Sequence, residues 1–297
     1  MTVFIIIASL ELLYFSRIKQ MLKYLSRLNR RRLFLRSERH QNRYAQQREI
    51  QLSGDERSCV EGLINKFAPQ DCGQDLVRIG PAFDGGYLLP DDLVGIQAMY
   101  SPGVSDTLGF DFEMAKRGIP CFLADGTVEQ PSGMHVSMSF EKMMIGEGPD
   151  DTFMSLESWV TRTAPLHGDL MLQMDIEGAE YAVLLNAPRS LLDRFRIIVL
   201  ELHGIDGNLL GDDGAQLSHL MDRLLKNHVI CHLHPNNVSP HVNILGRSVP
   251  SLIELTLLRK DRLRKTTGDE LAYPHLLDSP NDTNMPTRSF PQFWDKP

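Results

Sequence analysis

The sequence predicts a mixed α/β fold with a mostly parallel sheet that helices cover on both faces. From about residue 53, short apolar runs of strand length alternate with amphipathic segments of helix length. This alternation is typical of sheets whose strands are joined by helical crossovers. The composition agrees, because 42% hydrophobic residues, with 22 Gly and 17 Pro at no fixed period, exclude a wholly disordered or collagen-like chain.

The elements can be read in order along the chain. Residues 55–68 predict a helix, because four apolar side chains between Val60 and Phe67 share one face. The Asp-Gly-Gly turn at residues 84–86, between apolar flanks, predicts a hairpin. The other predicted strands are 98–100, 121–124, 170–174, 197–200, 229–233 and 252–258, and the other predicted helices are 108–117, 180–193 and 214–227.

The first 50 residues differ from the rest of the chain in charge. They hold 11 Lys and Arg against 3 Asp and Glu, a net charge of +8, whereas the remainder holds 20 against 35, a net charge of −15. The apolar stretch at residues 3–15 is too short to cross a bilayer and lacks the preceding basic residues of a signal peptide. Residues 18–35 have the spacing of a basic amphipathic helix, which favours peripheral membrane contact through residues 3–35. A solvated extension is the alternative interpretation.

The sequence therefore predicts three regions: a basic N-terminal extension at residues 1–52, amphipathic or disordered, a folded domain at 53–264 and a polar C-terminal tail at 265–297. The acidic body argues against nucleic acid as a partner. Four cysteines without a CxxC pair fit a reducing compartment. We expect a cytoplasmic protein. The basic extension suggests, as an alternative, peripheral association with the inner membrane surface.

A glycine-containing loop at residues 100–107 follows the first strand of the predicted sheet. Gly103 permits a tight turn and the close approach of a cofactor. Asp125 ends the next strand, where an acidic side chain typically accepts hydrogen bonds from ribose hydroxyls. The loop contains neither GxGxxG nor GxxxxGK[ST], which disfavours a dinucleotide or a P-loop nucleotide. The pattern predicts an adenosine-containing cofactor, and an ordinary turn at Asp125 is the alternative.

Three later strand ends carry acidic or imidazole side chains two residues apart. The pairs are Asp175 with Glu177, Glu201 with His203, and His232 with His234. Residues two apart on a strand face the same side, so adjacent strands can bring these pairs to one cleft. One chemistry that fits is a general base, His203 or His234, beside Asp175 and Glu177. Another is a divalent metal held by Asp175, Glu201 and His203, and the third reading is a set of structural pairs.

The most specific signal is the run Asp-Ile-Glu-Gly-Ala-Glu at residues 175–180. It resembles the hallmark D-[IV]-E-G-A-E of the FkbM-type S-adenosylmethionine-dependent methyltransferases. The resemblance covers roughly residues 76–260 and includes 83–87, 101–105, 200–203 and 232–237. Glu180 also has a structural explanation of equal weight, because a carboxylate in the first turn of a helix is favoured by the helix dipole.

The resemblance implies a Rossmann-like seven-stranded, mostly parallel sheet with an antiparallel last strand, the class I methyltransferase fold, and makes 53–264 the methyltransferase domain. It also implies a methyl donor across the first strands and an acceptor hydroxyl, often on a saccharide, near the fourth. The residues that would bind S-adenosylmethionine are Asp84, Gly85, Ser101, Gly103, Asp125 and Asp175. The first loop departs from many methyltransferases, since it carries Pro102 and one glycine where they have several.

Taken together, these patterns predict an S-adenosylmethionine-dependent O-methyltransferase that acts on a hydroxyl of a small molecule or saccharide. Two alternatives come from other classes. An NAD-linked oxidoreductase is disfavoured by the missing GxGxxG motif. A non-catalytic, membrane-associated module with a degenerate methyltransferase fold is favoured only by the basic extension.

Overall fold

The computed structural model describes residues 52–104, 107–148, 150–210, 214–266 and 271–286. Almost the whole predicted basic extension lies outside these residues, so that membrane contact through residues 3–35 stays a prediction. Within the described part of the chain, no helix combines the length and apolarity that crossing a bilayer requires.

Within the described residues, seven strands form the central sheet. The strands of the protein are β1 Leu76–Ile79, β2 Tyr87–Pro90, β3 Ile96–Pro102, β4 Cys121–Ala124, β5 Met138–Glu141, β6 Met144–Ile145, β7 Phe153–Met154, β8 Asp169–Met174, β9 Phe195–His203, β10 His228–Pro235, β11 His241–Ile244, β12 Arg247–Pro250 and β13 Leu252–Arg259. The order in the large sheet is β10-β13-β9-β8-β3-β4-β5. Strands β5, β4, β3, β8 and β9 pair in parallel, whereas β13 runs antiparallel to both of its neighbours. The mostly parallel sheet and its antiparallel last strand agree with the prediction and are consistent with a Rossmann-like fold.

Helices cover the sheet between its strands. They are α1 Gly54–Asn65, α2 Gly109–Lys116, α3 Leu156–Thr163, α4 Glu180–Asn186, α5 Arg189–Leu192, α6 Ile205–Leu210 and α7 Gly214–Leu225, followed by a 3₁₀ turn at Lys260–Arg262. One apolar core lies under α1, α3, α4 and α7 and contains the fully buried Trp159. A second core lies on the opposite face, under α2 and the β1–β2 hairpin. The predicted hairpin is confirmed, with β1 and β2 paired antiparallel.

Three predicted elements near the site differ in their bounds from the observed ones. The helix predicted over 180–193 is interrupted before Arg189. Pro188 has no backbone N–H and therefore cannot make the hydrogen bond that a continuous helix requires at this position. Strand β9 continues to His203 and β10 to Pro235. The strands therefore contain Glu201, His203, His232 and His234. The alternation of side chains along a strand fixes the face from which each of them projects.

A β-bulge interrupts the pairing of β10 with β13. Ile230 is opposite Leu257, but the next paired residue is His232, opposite Thr256, so that Cys231 is the extra residue. Beyond the bulge His234 is opposite Glu254. Residues directly opposite in an antiparallel pair project from the same face. The bulge thereby places both histidines on the face that the β1–β2 hairpin covers, where the Thr256 hydroxyl donates a hydrogen bond to the Leu88 carbonyl at 2.6 Å.

Candidate active site

The predicted site residues meet along the carboxyl edge of the sheet. Strands β3, β4, β8 and β9 are parallel neighbours, so their last residues lie at one edge. Asp125 follows β4, Asp175 follows β8, and His203 ends β9. In open α/β sheets this edge is where ligands bind.

His203 is the centre of this arrangement. Its Nδ1 lies 3.2 Å from the Glu180 Oε1, and its Nε2 lies 3.8 Å from Asp175 Oδ1 and 3.7 Å from Glu177 Oε2. The Tyr181 hydroxyl donates to the His203 carbonyl at 2.9 Å and so fixes the backbone of the strand end. Three carboxylates thus surround one imidazole, and only Glu180 is within hydrogen-bonding distance of it.

Glu180 contacts both the turn before α4 and the imidazole of His203. Its Oε1 accepts hydrogen bonds from the backbone N–H groups of Ile176, at 2.9 Å, and Gly178, at 3.2 Å, in the turn before α4. The same oxygen faces the Nδ1 of His203. The side chain is fully buried. A carboxylate that two backbone donors hold in place is a rigid partner for the imidazole.

The charges around His203 change the protonation of the cluster. Burial alone would lower the pKa of His203, but the hydrogen bond with Glu180 and the negative charges of Glu180, Asp175 and Glu177 outweigh it and raise the pKa above 6.5. Burial raises the pKa of Asp175 to about 7, and the neighbouring His203 opposes that rise. Asp175 is therefore partly protonated near neutral pH, and His203 holds its proton more tightly than an isolated imidazole does.

A second cluster of carboxylates lies next to the first along the edge. Oxygens of Asp84, Glu201 and Glu254 lie within 4.8 Å of one another. The Tyr87 hydroxyl donates to Glu201 at 2.8 Å, and the Asn281 amide donates to Glu254 at 2.5 Å and to Asp84 at 3.1 Å. Burial is the largest cause of the raised pKa of both Glu201 and Glu254. Glu201 and Glu254 are opposite one another in β9 and β13.

The third cluster joins β10 to the C-terminal segment at residues 271–286. One oxygen of Asp278, Oδ1, lies 2.9 Å from the Nε2 of His232 and 3.5 Å from the Nδ1 of His234. Burial alone would raise the pKa of Asp278, but its hydrogen bonds with the two histidines outweigh burial and hold that pKa well below its usual range. His234 is therefore on the same face of the sheet as Glu254 and Glu201, but two strands away from His203.

The first loop packs directly on the backbone of Asp175. Gly103 has φ +86°, and a Cβ at this position would lie 1.6 Å from the Asp175 carbonyl oxygen. The Asp175 N–H donates to the Pro102 carbonyl at 3.2 Å. Ser101 is fully buried and donates to Gln173 at 2.6 Å. Gly103 is thus required for close packing within the chain, and its contact with a cofactor stays a prediction.

The remaining predicted residues lie in turns. One oxygen of Asp125 accepts hydrogen bonds from the N–H and the hydroxyl of Thr127, each at 2.6 Å, as in a tight turn. Asp84 and Gly85 occupy the hairpin turn, where the side chain of Asp84 reaches Asn281. Trp159 donates its indole N–H to Glu141 and lies fully inside the core, where a large aromatic side chain contributes to packing.

Sequence reasoning missed three residues of these clusters. Glu254 interrupts an apolar strand, with Thr256 two residues on, and this polar pair within buried β13 is a signal that could have revealed it. Asp278 and Asn281 lie in an irregular, Pro-rich segment. Their contacts with β10 and the hairpin depend on how the chain folds back, which no local pattern encodes.

The comparison with protein families bears on the same residues. A family model described as the methyltransferase FkbM domain matches residues 160–229. This range contains β8, α4 and β9, and with them Asp175, Glu180 and His203. No curated protein matches the chain. The resemblance seen in residues 175–180 is therefore confirmed over residues 160–229, which are similar to the methyltransferase FkbM domain.

Proposed function

We propose that the protein is an S-adenosylmethionine-dependent O-methyltransferase and that His203 is its general base. The observation that carries this proposal is the contact between Glu180 and the Nδ1 of His203 at 3.2 Å, at the carboxyl end of β9. The match to the methyltransferase FkbM domain supports methyl transfer as the reaction. A histidine base paired with a buried carboxylate can remove the proton of a hydroxyl group. Its position at the ligand-binding edge of the sheet therefore supports a hydroxyl as the methyl acceptor.

The hydrogen bonding of Glu180 determines which nitrogen of His203 can accept a proton. An ionised carboxylate only accepts hydrogen bonds, so the Nδ1 that faces Glu180 carries the hydrogen. The lone pair of the neutral ring is then on Nε2. No hydrogen bond engages this nitrogen within the described part of the chain, because Asp175 and Glu177 are 3.8 and 3.7 Å away. Nε2 is therefore available to take the proton of an acceptor hydroxyl, as in other base–carboxylate pairs.

The carboxylates at the edge of the sheet fit a cofactor that carries a positive charge and hydroxyl groups. The Oδ1 of Asp175 is buried and has no hydrogen-bond partner among the described residues, so it can accept a bond from a ligand. Asp125 follows β4, which is separated from β8 by β3, and an acidic side chain at this place can recognise a ribose. When bound, S-adenosylmethionine supplies an electrophilic methyl group. The protein's contribution is orientation, which can lower the barrier by about 7–11 kcal/mol, and removal of the acceptor's proton.

The second carboxylate cluster suits an acceptor with several hydroxyl groups. Asp84, Glu201 and Glu254 offer acceptors within 4.8 Å of one another, while Tyr87 and Asn281 already donate into the cluster. A saccharide presents alternating hydroxyl donors and acceptors at this spacing. This second carboxylate cluster lies next to Asp175 and His203. We therefore expect a hydroxyl group bound at the cluster to face the proposed base.

Methyl-donor binding can be tested directly by thermal unfolding. S-adenosylhomocysteine should raise the melting temperature, because a ligand that binds only the folded state stabilises it by about 2.7 kcal/mol at a hundred times its Kd. NADH at the same concentration should leave the melting temperature unchanged. The opposite pattern, stabilisation by NADH alone, would favour the oxidoreductase interpretation, and no shift at millimolar S-adenosylhomocysteine would contradict donor binding.

The pH dependence of kcat/KM tests the assignment of the base. Because His203 must be neutral to accept a proton, activity should rise with pH through a midpoint above 6.5. The Glu180→Gln variant keeps oxygen acceptors for the backbone of residues 176 and 178 but removes the charge that favours the imidazolium. Its midpoint should therefore move to lower pH. An unchanged midpoint in this variant would show that another group controls the profile.

A divalent metal at the same place is the second candidate, because ligand atoms of Asp175, Glu177 and His203 lie within 4.8 Å of one another. Such an ion could bind an acceptor oxygen and lower its pKa. The base assignment predicts that the metal content of the protein is unchanged when His203 is replaced by asparagine. This variant serves as a control in the experiment below.

A further inference from the structure

The C-terminal segment at residues 271–286 is held in place mainly by polar contacts. Its aliphatic side chains are largely exposed, since Leu276 is 97% exposed and Leu277 and Met285 about 40%, whereas Tyr273 packs against the core and stacks on His232. Apart from Tyr273, burial of apolar surface therefore contributes little to the position of the segment. Instead, Asn237 donates to the Asp282 carbonyl, and Asn281 donates to Glu254. The deepest contact is that of Asp278 with the two histidines of β10.

The surroundings of Asp278 are unusual for a surface segment. The side chains of His232, His234 and Asp278 are only 4%, 9% and 7% exposed. The second carboxylate oxygen, Oδ2, accepts the backbone N–H of His275 at 2.7 Å, which turns Oδ1 toward the imidazoles. A buried carboxylate is costly unless a positive charge or several donors compensate it. Two ring nitrogens from alternate residues of one strand converge on this single oxygen.

We propose that His232, His234 and Asp278 form a binding site for a divalent transition metal of the zinc class, which fastens the C-terminal segment to β10. The ligand atoms lie within 4.8 Å of one another. In a tetrahedral zinc site with bonds of about 2.0–2.1 Å, neighbouring ligand atoms are about 3.3 Å apart. The observed separations from Asp278 Oδ1, 2.9 and 3.5 Å, bracket that value.

The chemistry of the three ligands also favours this class of metal. Two imidazole nitrogens and one carboxylate oxygen are a donor set that suits zinc and similar ions, whereas magnesium and calcium prefer oxygen alone. The bulge at Cys231 and the strand beyond it hold both rings on one side, so that the segment needs to supply only the carboxylate. The His275 N–H orients that carboxylate from the far side, as partners of metal ligands commonly do.

Metal binding can be measured on tag-free protein without methyl donor or acceptor. The protein is incubated with excess zinc chloride, desalted and assayed for zinc per chain, and cobalt(II) loading is followed by its visible absorption. We expect about one zinc per chain, and at least a tenfold loss of zinc affinity in Asp278→Asn and in His232→Gln. His203→Asn, which alters the other histidine–carboxylate cluster, should keep the full amount. Chelation should also expose the segment to proteolysis.

Three results would overturn the proposal: a wild-type chain that retains no zinc, an Asp278→Asn chain that retains as much as the wild type, or loss of zinc only in His203→Asn. The last result would place the ion at Asp175, Glu177 and His203 instead. Far-ultraviolet circular dichroism of each variant separates loss of metal from loss of folding. Because no methyl donor enters the assay, the outcome is independent of the shift with S-adenosylhomocysteine.

Discussion

Replacement of His203 by asparagine is expected to lower kcat by about 10²–10⁴-fold, which is the contribution of a positioned general base. Asparagine keeps a polar side chain at the end of β9 but cannot take the proton of an acceptor hydroxyl. The donor contacts proposed for Asp125 and Asp175 do not involve the imidazole. The stabilisation by S-adenosylhomocysteine should therefore remain. Initial rates with an acceptor found by screening hydroxyl-bearing compounds provide the measurement.

The matched control for this prediction is His219→Asn. His219 is exposed on α7 and belongs to none of the clusters described above, so its replacement should leave kcat within a factor of two. If His203→Asn also retains the wild-type kcat, His203 is not the base. A joint loss of activity and of S-adenosylhomocysteine binding would instead indicate that His203 maintains the shape of the whole edge.

Replacement of Gly103 by alanine is expected to lower the free energy of unfolding by at least about 3–5 kcal/mol. Two costs add at this residue. Its φ of +86° strains any side chain, and its new Cβ would lie 1.6 Å from the Asp175 carbonyl oxygen, so the backbone must move. That movement would displace Asp175 from the edge of the sheet. Urea unfolding gives the loss of stability.

Gly118→Ala separates the two costs. Gly118 has a similar φ, +81°, but a Cβ there would meet nothing within 4 Å. Only the cost of the left-handed conformation, about 1–2 kcal/mol, is expected at this exposed residue after α2. Equal destabilisation by both substitutions would mean that the first loop can move away from β8 at little cost.

The order of strands and helices could be predicted because the apolar pattern is local. Runs such as 170–174 and 197–200 are buried on both faces, and a continuous apolar run is what that environment requires. The short strand β5 escaped this reasoning, since Met138–Glu141 lies at the edge of the sheet and none of its residues is fully buried. The break before Arg189 could have been expected from Pro188 alone.

The candidate site also contains residues that the sequence could predict and residues that it could not. Asp175 and His203 were predicted from strand ends, and parallel neighbours bring such ends together without further information. Glu180 carries a capping signal in the sequence, and only the structure shows that the same oxygen reaches His203. Asp278 is separated from His232 by 46 residues. Its contribution depends on the path of a segment without regular structure, which hydrophobic periodicity cannot predict.

The extra residue at Cys231 sets the phase of everything after it in β10. If Cys231 instead paired with Thr256 in a regular ladder, His232 would be opposite Leu255 and His234 opposite Ile253, so that Leu233 would exchange sides with the two imidazoles. An aliphatic side chain would then face the hairpin while ring nitrogens entered the packed layer beneath α7. A β10 of the same sequence without the bulge would thus retain every ligand-type residue and still be unable to assemble them, so a homologue of this chain is best compared by strand phase before it is compared by motif.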